Sequence, residues 1–304
     1  MKMIRGMRLL GWTMCVLCVV GCHDDQQMED VVFRAERMIR SAQDPDGSWG
    51  DVRTTSLAVM AYMSNDEILS SSEFGQSKIA AAEWLIKKTE AGEIGPDDMP
   101  IAANALCALY EFLPNPNLRF AALKCLSSVV GTQQSNGMWK DMLTTGWAVL
   151  ALNNARHLGL RVAHDEEWVD KMSFETIATE WPDGAVAAYL LMSLSRRGGK
   201  GAYAAQGVGC WGLDCGSADA DFFAARVLRC QVFAPCDDSV DAEKRLRVFR
   251  RRIECAKREM LVRMRMFSED GCSSEDVERL CLAVMQVSWP SCRCPKPGHQ
   301  GGNR

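Results

Sequence analysis

Two stretches of the chain, residues 43–61 and 133–151, align without a gap and share nine identities in 19 positions. Both begin with the pattern Gln-x-x-x-Gly-x-Trp-x-Asp and then run through a Thr-Thr pair into an apolar segment. A match of this length indicates a duplicated supersecondary unit with a period of 90 residues. We therefore expect a fold assembled from repeated units that bury their apolar faces against one another.

Four further segments resemble the duplicated unit more weakly, and each is a turn signal followed by an apolar helix. Gly, Pro and Asp suit such turns because they supply special backbone angles and cap exposed backbone donors. With the two clear copies, these segments predict six units in all. The four weaker turn signals lie at residues 95–98, 181–184, 211–214 and 269–271.

The sequence predicts helices of two alternating kinds. Residues 28–39 and 118–129 place apolar side chains at i, i+3 and i+4, which is typical of a half-exposed amphipathic helix. Residues 57–63, 147–152 and 186–192 are apolar almost all round, so protein must enclose them. A ring of about six buried inner helices jacketed by about six outer helices satisfies both kinds. We therefore predict an all-α fold of the α/α toroid type, covering residues 22–288.

The first 21 residues differ from the rest in character. Three basic residues precede an uncharged stretch, 9–20, that is too short to cross a bilayer as a helix, which predicts a signal peptide over residues 1–21. The stretch ends Val-Val-Gly-Cys and resembles the bacterial lipobox. That resemblance implies a diacylglycerol and palmitate anchor on Cys22, on the extracytoplasmic side of the cell envelope, at the outer membrane of a Gram-negative cell.

Cysteine usage and charge are consistent with export. Of the 14 cysteines, nine lie between Cys210 and Cys294, a density that suits an oxidising compartment and predicts disulfides. The formal charge is −4, and no basic stripe offsets it, which argues against a nucleic-acid partner. Residues 289–304 are rich in Pro, Gly and Cys, and we expect them to form a disordered tail.

The repeated Gln-x-x-x-Gly-x-Trp pattern resembles the QW-type repeat of squalene-hopene cyclases and of the wider terpenoid cyclase and protein prenyltransferase toroid superfamily. The resemblance covers about residues 30–288 and is clear in two units. In that family the Gln and Trp join the end of an outer helix to the start of the next inner helix. It therefore implies a structural role for Gln43, Gly47, Trp49, Asp51, Gln133, Gly137, Trp139 and Asp141.

The residues that carry chemistry in this superfamily are not reproduced. Triterpene cyclases protonate an alkene with an Asp-x-Asp-Asp acid, whereas the nearest string here is Asp219-Ala220-Asp221-Phe222. Asp219 and Asp221 are the candidate catalytic acids, with helix N-capping as the alternative role. Prenyltransferases hold zinc with Asp, Cys and His at a spacing that this chain lacks, so no metal and no cofactor is expected.

These observations favour a membrane-anchored extracytoplasmic toroid that binds an apolar ligand or an envelope protein without catalysis. One alternative is a terpenoid cyclase-like or prenyltransferase-like enzyme acting on apolar substrates. A second alternative is a carbohydrate-active α/α barrel, in which two inner-helix carboxylates roughly 5–9 Å apart would flank a sugar.

Overall fold

The structure, a computed structural model, describes part of the 304-residue chain. The described residues are 28–64, 72–162, 167, 171–172, 186–187, 189–190, 218–219, 222–225, 251, 253–265 and 273–288. They form α-helices joined by turns, and their one β-type pairing is an isolated bridge between Trp49 and Asp51. The all-α class is therefore confirmed. The signal peptide, Cys22, Asp221 and the tail 289–304 lie outside the described residues.

Eight of the helices are labelled α1 to α8 in chain order. Helical residues 186–187, 189–190, 218–219 and 222–225 fall between α6 and α7. The bounds are 28–41 for α1, Val52–Met63 for α2, Ser72–Ala91 for α3, Met99–Phe112 for α4, Pro116–Gly131 for α5, Met142–His157 for α6, 253–265 for α7 and Ser274–Ser288 for α8.

The helices differ in burial as their sequences predict. Eleven of the 12 residues of α2 are buried, whereas in α5 only six of 16 are buried, all on one stripe. Helix α2 is therefore enclosed by protein, while α5 covers the core with one face and meets solvent with the other.

The enclosed helices lie side by side. Helix α2 packs against α4, and α4 packs against α6, in chain order. Helix α8, the last described helix, packs against α2. The half-exposed helices α3 and α5 pack against each other and against α2 and α4 respectively. The main apolar core lies between these two sets of helices and includes residues from all of them.

Contacts between their ends show that helices α1 to α6 alternate in direction and that α8 starts beside the start of α2, so the described helices have two ends. The turn end contains the repeat turns 43–51 and 133–141 and the starts of α2, α4, α6 and α8. The basal end contains the start of α1, the end of α2, the start of α3 and the α4–α5 connection. Ring contacts join elements at the basal end: Phe74 lies 5.7 Å from Phe33 and 5.4 Å from Tyr62.

Each repeat turn is held by its glutamine and its tryptophan. Gln43 Nε2 donates to the carbonyl of Gly47 at 2.9 Å, and Trp49 Nε1 donates to the carbonyl of Ile39 at 2.6 Å. The backbone N–H of Trp49 donates to Thr55 Oγ1 at 2.9 Å. The tryptophan therefore ties the end of α1 to the first turn of α2, and adds a second donor to a helix-end carbonyl that also accepts from the Ala42 N–H at 3.2 Å.

The second copy repeats this geometry 90 residues later. Gln133 Nε2 donates to the carbonyl of Gly137 at 2.8 Å, and Trp139 Nε1 donates to the carbonyl of Val129 at 2.7 Å. The backbone N–H of Trp139 donates to Thr145 Oγ1 at 3.0 Å. The two sequence repeats therefore form the same set of hydrogen bonds.

The glycine in each turn cannot be replaced without strain. Gly47 and Gly137 have φ of +93° and +83°, which L side chains rarely adopt. A Cβ on Gly47 would lie 2.6 Å from the carbonyl oxygen of Ala80, and one on Gly137 would overlap the carbonyl group of Lys171. Each turn therefore packs its backbone directly on a helical residue 33 or 34 positions further along the chain.

The aspartate that ends each turn caps the following helix. Asp51 accepts a hydrogen bond from the backbone N–H of Thr54, and Asp141 accepts one from that of Thr144, both at 2.7 Å. In each case the aspartate is the N-cap, with extended backbone angles. This is the usual way in which an aspartate satisfies a free N–H at the start of a helix.

Candidate functional site

A group of charged side chains lies in the described interior, centred on Arg53 in the first turn of α2. Arg53 Nη2 donates to both carboxylate oxygens of Asp219, at 2.8 and 2.7 Å. Arg53 Nε donates to Glu278 Oε1 at 2.7 Å. The side chains of Asp219 and Glu278 are 10% and 24% exposed. We call Arg53, Asp219 and Glu278 the Arg53 cluster.

Aromatic side chains fill the space beside the Arg53 cluster. Trp147 of α6 stacks on Phe222, with ring centroids 5.2 Å apart and planes inclined by 8°. Phe223 meets Trp147 edge-on at 5.2 Å and contacts Tyr189 at 5.1 Å. The Trp147 Nε1 donates to Asp219 Oδ1 at 2.8 Å. The carboxylate of Asp219 therefore lies between the guanidinium of Arg53 and the indole of Trp147.

A second polar contact joins α4 to α6 in the interior. Asn104 Nδ2 donates to the carbonyls of Pro100 and Trp147, at 2.9 and 3.0 Å. Asn104 Oδ1 accepts from Asn154 Nδ2 at 3.0 Å. Asn104 is fully buried, so these bonds offset the cost of burying its amide. They pair donors and acceptors without supplying an acid, a base or a nucleophile.

The two carboxylates of the Arg53 cluster stabilise the charged form of Arg53. Burial lowers the pKa of Arg53, but the charges of Asp219 and Glu278 raise it by more, so the net pKa lies above the usual value. Nearby, Asp98 at the start of α4 has a raised pKa. The main cause is burial, with further upward shifts from Asp51 and Asp97 and a downward shift from Arg53.

This geometry limits what the Arg53 cluster can do chemically. Asp219 accepts three hydrogen bonds from Arg53 and Trp147, so it acts as an acceptor and not as a proton donor. The guanidinium of Arg53 bonds Asp219 through one nitrogen and Glu278 through another, so it lies where a substrate between two carboxylates would sit. The second candidate acid, Asp221, lies outside the described residues.

Two members of the cluster were not found by sequence reasoning. Arg53 is the single charged residue of α2, and the second repeat has Leu143 at the corresponding position. That difference between the copies was a usable signal. Glu278 offered no comparable signal, because it lies on a helix with several other charged residues.

The cysteines described by the structure are thiols. Burial raises the pKa of the Cys125 thiol to about 11 and that of Cys107 further, which makes both poor nucleophiles. Cys281 is also buried, whereas Cys255 is exposed. Cys210, Cys215, Cys230, Cys236 and Cys272 lie outside the described residues, so disulfide formation stays a prediction.

Neither a metal centre nor a membrane span is found in the part of the chain that the structure describes. No three His, Cys, Asp or Glu side chains there are grouped as metal ligands. No helix there has both the length and the apolar character needed to cross a bilayer. No family model, curated protein or solved structure matches this chain. Evidence for its function therefore comes from its own residues.

Proposed function

We propose that the chain is a bacterial lipoprotein with an α/α toroid fold, and that the toroid binds a partner without catalysing a reaction. The packing order supports a ring. Helices α2, α4 and α6 lie side by side, and α8 packs against the free side of α2. Phe222 and Phe223 pack against Trp147 on α6, and Tyr189 contacts Phe223, where further inner helices would continue the series.

The observation that carries the non-catalytic proposal is the bonding of Asp219. A cyclase acid must be a neutral carboxylic acid facing an open apolar cavity. Asp219 instead faces Arg53 and the Trp147 indole, and Phe222 stacks on that indole. The guanidinium of Arg53 joins α2 to α8 through Glu278 and to Asp219, which is the work of a scaffold.

The same contacts count against the carbohydrate alternative. Two glycosidase carboxylates need a sugar or a water between them. Here Arg53 bonds both Asp219 and Glu278, and removing it would leave two partly buried carboxylates without a counter-ion. Binding of an apolar ligand or of another envelope protein needs no such groups, so it remains the favoured function.

Full-length protein purified in detergent is used to test whether the chain catalyses cyclisation or prenyl transfer. We expect no product from squalene, and none from farnesyl diphosphate supplied with zinc and a thiol acceptor. Product formed by the wild type and lost in Asp221→Asn would overturn the proposal and establish an enzyme. Asp51→Asn is the control, because Asp51 is an exposed aspartate that caps α2.

The anchor is tested separately by metabolic labelling with radioactive palmitate. Wild-type protein should be labelled, and Cys22→Ser should carry no label because the thioether requires that sulfur. Cys255→Ser removes an exposed thiol elsewhere and should leave the label unchanged. Equal labelling of wild type and Cys22→Ser would refute the lipid anchor.

A further inference from the structure

Exposed apolar side chains gather at the basal end of the molecule. Five large hydrophobic residues are exposed among those described, and four of them lie on the start of α3, the end of α4 or the start of α5. Their exposed fractions are 43% for Ile79, 38% for Phe112, 36% for Leu113 and 60% for Phe120. We call these four residues the basal patch. Clustered exposure of this kind marks an interaction surface.

A groove runs into the basal patch. It has a volume of about 380 Å³ and lies between α3 and the α4–α5 connection. Ile79 and Ile86 form one wall, and Leu113, Pro114 and Leu118 form the other. Glu83 and Asn115 also line the groove, but most of its lining is apolar and it is open at the surface, so its apolar part accepts hydrocarbon.

The direction of the helices brings the proposed lipid anchor to this same end. Helix α1 begins at the basal end, and Phe33 in its second turn reaches Phe74 at the start of α3. Five residues separate Cys22 from residue 28, and the six steps of chain between them span at most about 20 Å in any conformation. A lipid on Cys22 would therefore hold the basal end, and not the turn end, within about 20 Å of the bilayer.

We propose that the basal patch is a lipid-contacting surface, and that Phe112, Leu113 and Phe120 enter the interfacial layer of the bilayer that holds the anchor. The inference rests on the proposed function, because the lipid on Cys22 supplies the orientation. Phe and Leu side chains that lie at an interface bury their apolar faces about 5–10 Å into the headgroup and acyl boundary. The lipid on Cys22 and the basal patch together fix the orientation of the molecule on the bilayer, with the turn end and the Arg53 cluster facing away from the lipid.

The test places a photo-crosslinker at single positions along α5 in full-length protein. Benzoylphenylalanine replaces Phe120, or Ser127 on the same helix, or Ser135 in the turn beyond it; all three are exposed. Position 127 lies about 10 Å further along the helix than position 120, beyond the depth of interfacial burial. Cells that carry radiolabelled phospholipid are irradiated, and the label on the purified protein is measured.

We expect lipid label at position 120 to exceed that at position 135 by at least about tenfold, with an intermediate or low value at 127, because the apolar layer ends within about 10 Å. Equal label at 120 and 135 would overturn the inference, because contact through the basal patch requires position 120 to meet lipid more often than the turn end does. A crosslink from position 120 to a second copy or to another protein would also overturn it, and would identify the basal patch as a protein interface.

Palmitate labelling of the same samples separates this inference from the proposed anchor. Palmitate on Cys22 without lipid crosslinking at 120 refutes the basal patch and leaves the anchor standing. Crosslinking at 120 without palmitate supports the patch as a lipid surface and refutes the anchor. Absence of both signals refutes both proposals.

Discussion

Gly137 and Gly159 have similar backbone angles and different surroundings. Their φ values are +83° and +68°, so alanine at either position costs about 1–2 kcal/mol of backbone strain. At Gly159 nothing lies within 4 Å of an added Cβ, whereas at Gly137 the Cβ would overlap the carbonyl group of Lys171. The difference between the two positions therefore isolates the contact between the repeat turn and the next helix.

We predict that Gly159→Ala lowers the free energy of unfolding by about 1 kcal/mol. Gly137→Ala should lower it by about 3 kcal/mol or more, because the backbone of the turn must move away from residue 171. Urea titration followed by circular dichroism measures both variants. Losses of equal size would show that the turn does not touch residue 171.

Asp98 gives a prediction about pH. Its folded-state pKa is raised, chiefly by burial, so the neutral acid is favoured on folding. That contribution to stability is present below the unfolded pKa, near the usual 3.8, and is lost as the pH rises through the higher folded value. Asp98→Asn keeps the size and the N-cap preference of the residue while removing the charge.

We therefore expect Asp98→Asn to melt at a higher temperature than the wild type at pH 7 and at the same temperature at pH 3. The gain should stay below about 1 kcal/mol, because the side chain is partly in solvent, which screens its charge. Thermal melts at both pH values test this. A variant that is less stable than wild type at pH 7 would contradict the assigned pKa direction.

At the scale of the secondary-structure element, each tryptophan of the repeat connects the end of one helix to the first turn of the next. Trp49→Phe keeps most of the ring but leaves the Ile39 carbonyl with only the 3.2 Å hydrogen bond from the Ala42 N–H, which we expect to cost about 1 kcal/mol. Trp49→Ala also removes the ring and should cost about 3–5 kcal/mol. Urea titrations of both variants separate the hydrogen bond from the packing.

Trp139 provides the matched copy for this experiment. Its indole makes the same bond to Val129, so Trp139→Phe should lose a similar amount, and the two losses should add in the double variant. Unchanged stability in both single Phe variants would mean that the indole nitrogens do not stabilise the turns.

How much of the structure was predictable from the sequence depends on the range of the interaction. Periodicity predicts the helical class and the contrast between α2 and α5, because burial of each helix depends on its own residues. Asp51 offers a local capping signal for the same reason. Gly137 contacts Lys171, and no local pattern in the residues between them predicts this contact. Asp219 lies 166 residues from Arg53, and no local pattern joins them.

At the scale of the whole molecule, the contact between α2 and α8 tests whether helices far apart in the sequence lie side by side. Thr54 Oγ1 and Ser274 Oγ lie 2.8 Å apart although 220 residues separate them along the chain. Cysteines at both positions should form a disulfide, because the side chains already meet. Closing a loop of that length should stabilise the fold by about 5 kcal/mol in the chain-entropy model.

We predict that the Thr54→Cys, Ser274→Cys variant migrates faster than the wild type on a gel without reductant and regains normal mobility with reductant. Thr144→Cys with Ser274→Cys is the control, because Thr144 occupies the same position in the second repeat. Crosslinking in the control but not in the test pair would contradict the neighbourhood of α2 and α8.

The contact between α2 and α8 also imposes a delay on the growing chain. At about 5–20 residues per second, the 220 residues between Thr54 and Ser274 take roughly 10–40 s to synthesise. During that interval one apolar side of α2 has no partner, although the helix itself forms within microseconds. The growing chain therefore exposes an apolar surface of α2 before α8, which covers it, has been synthesised. Its yield should depend on chaperones that shield α2 until the last helix emerges.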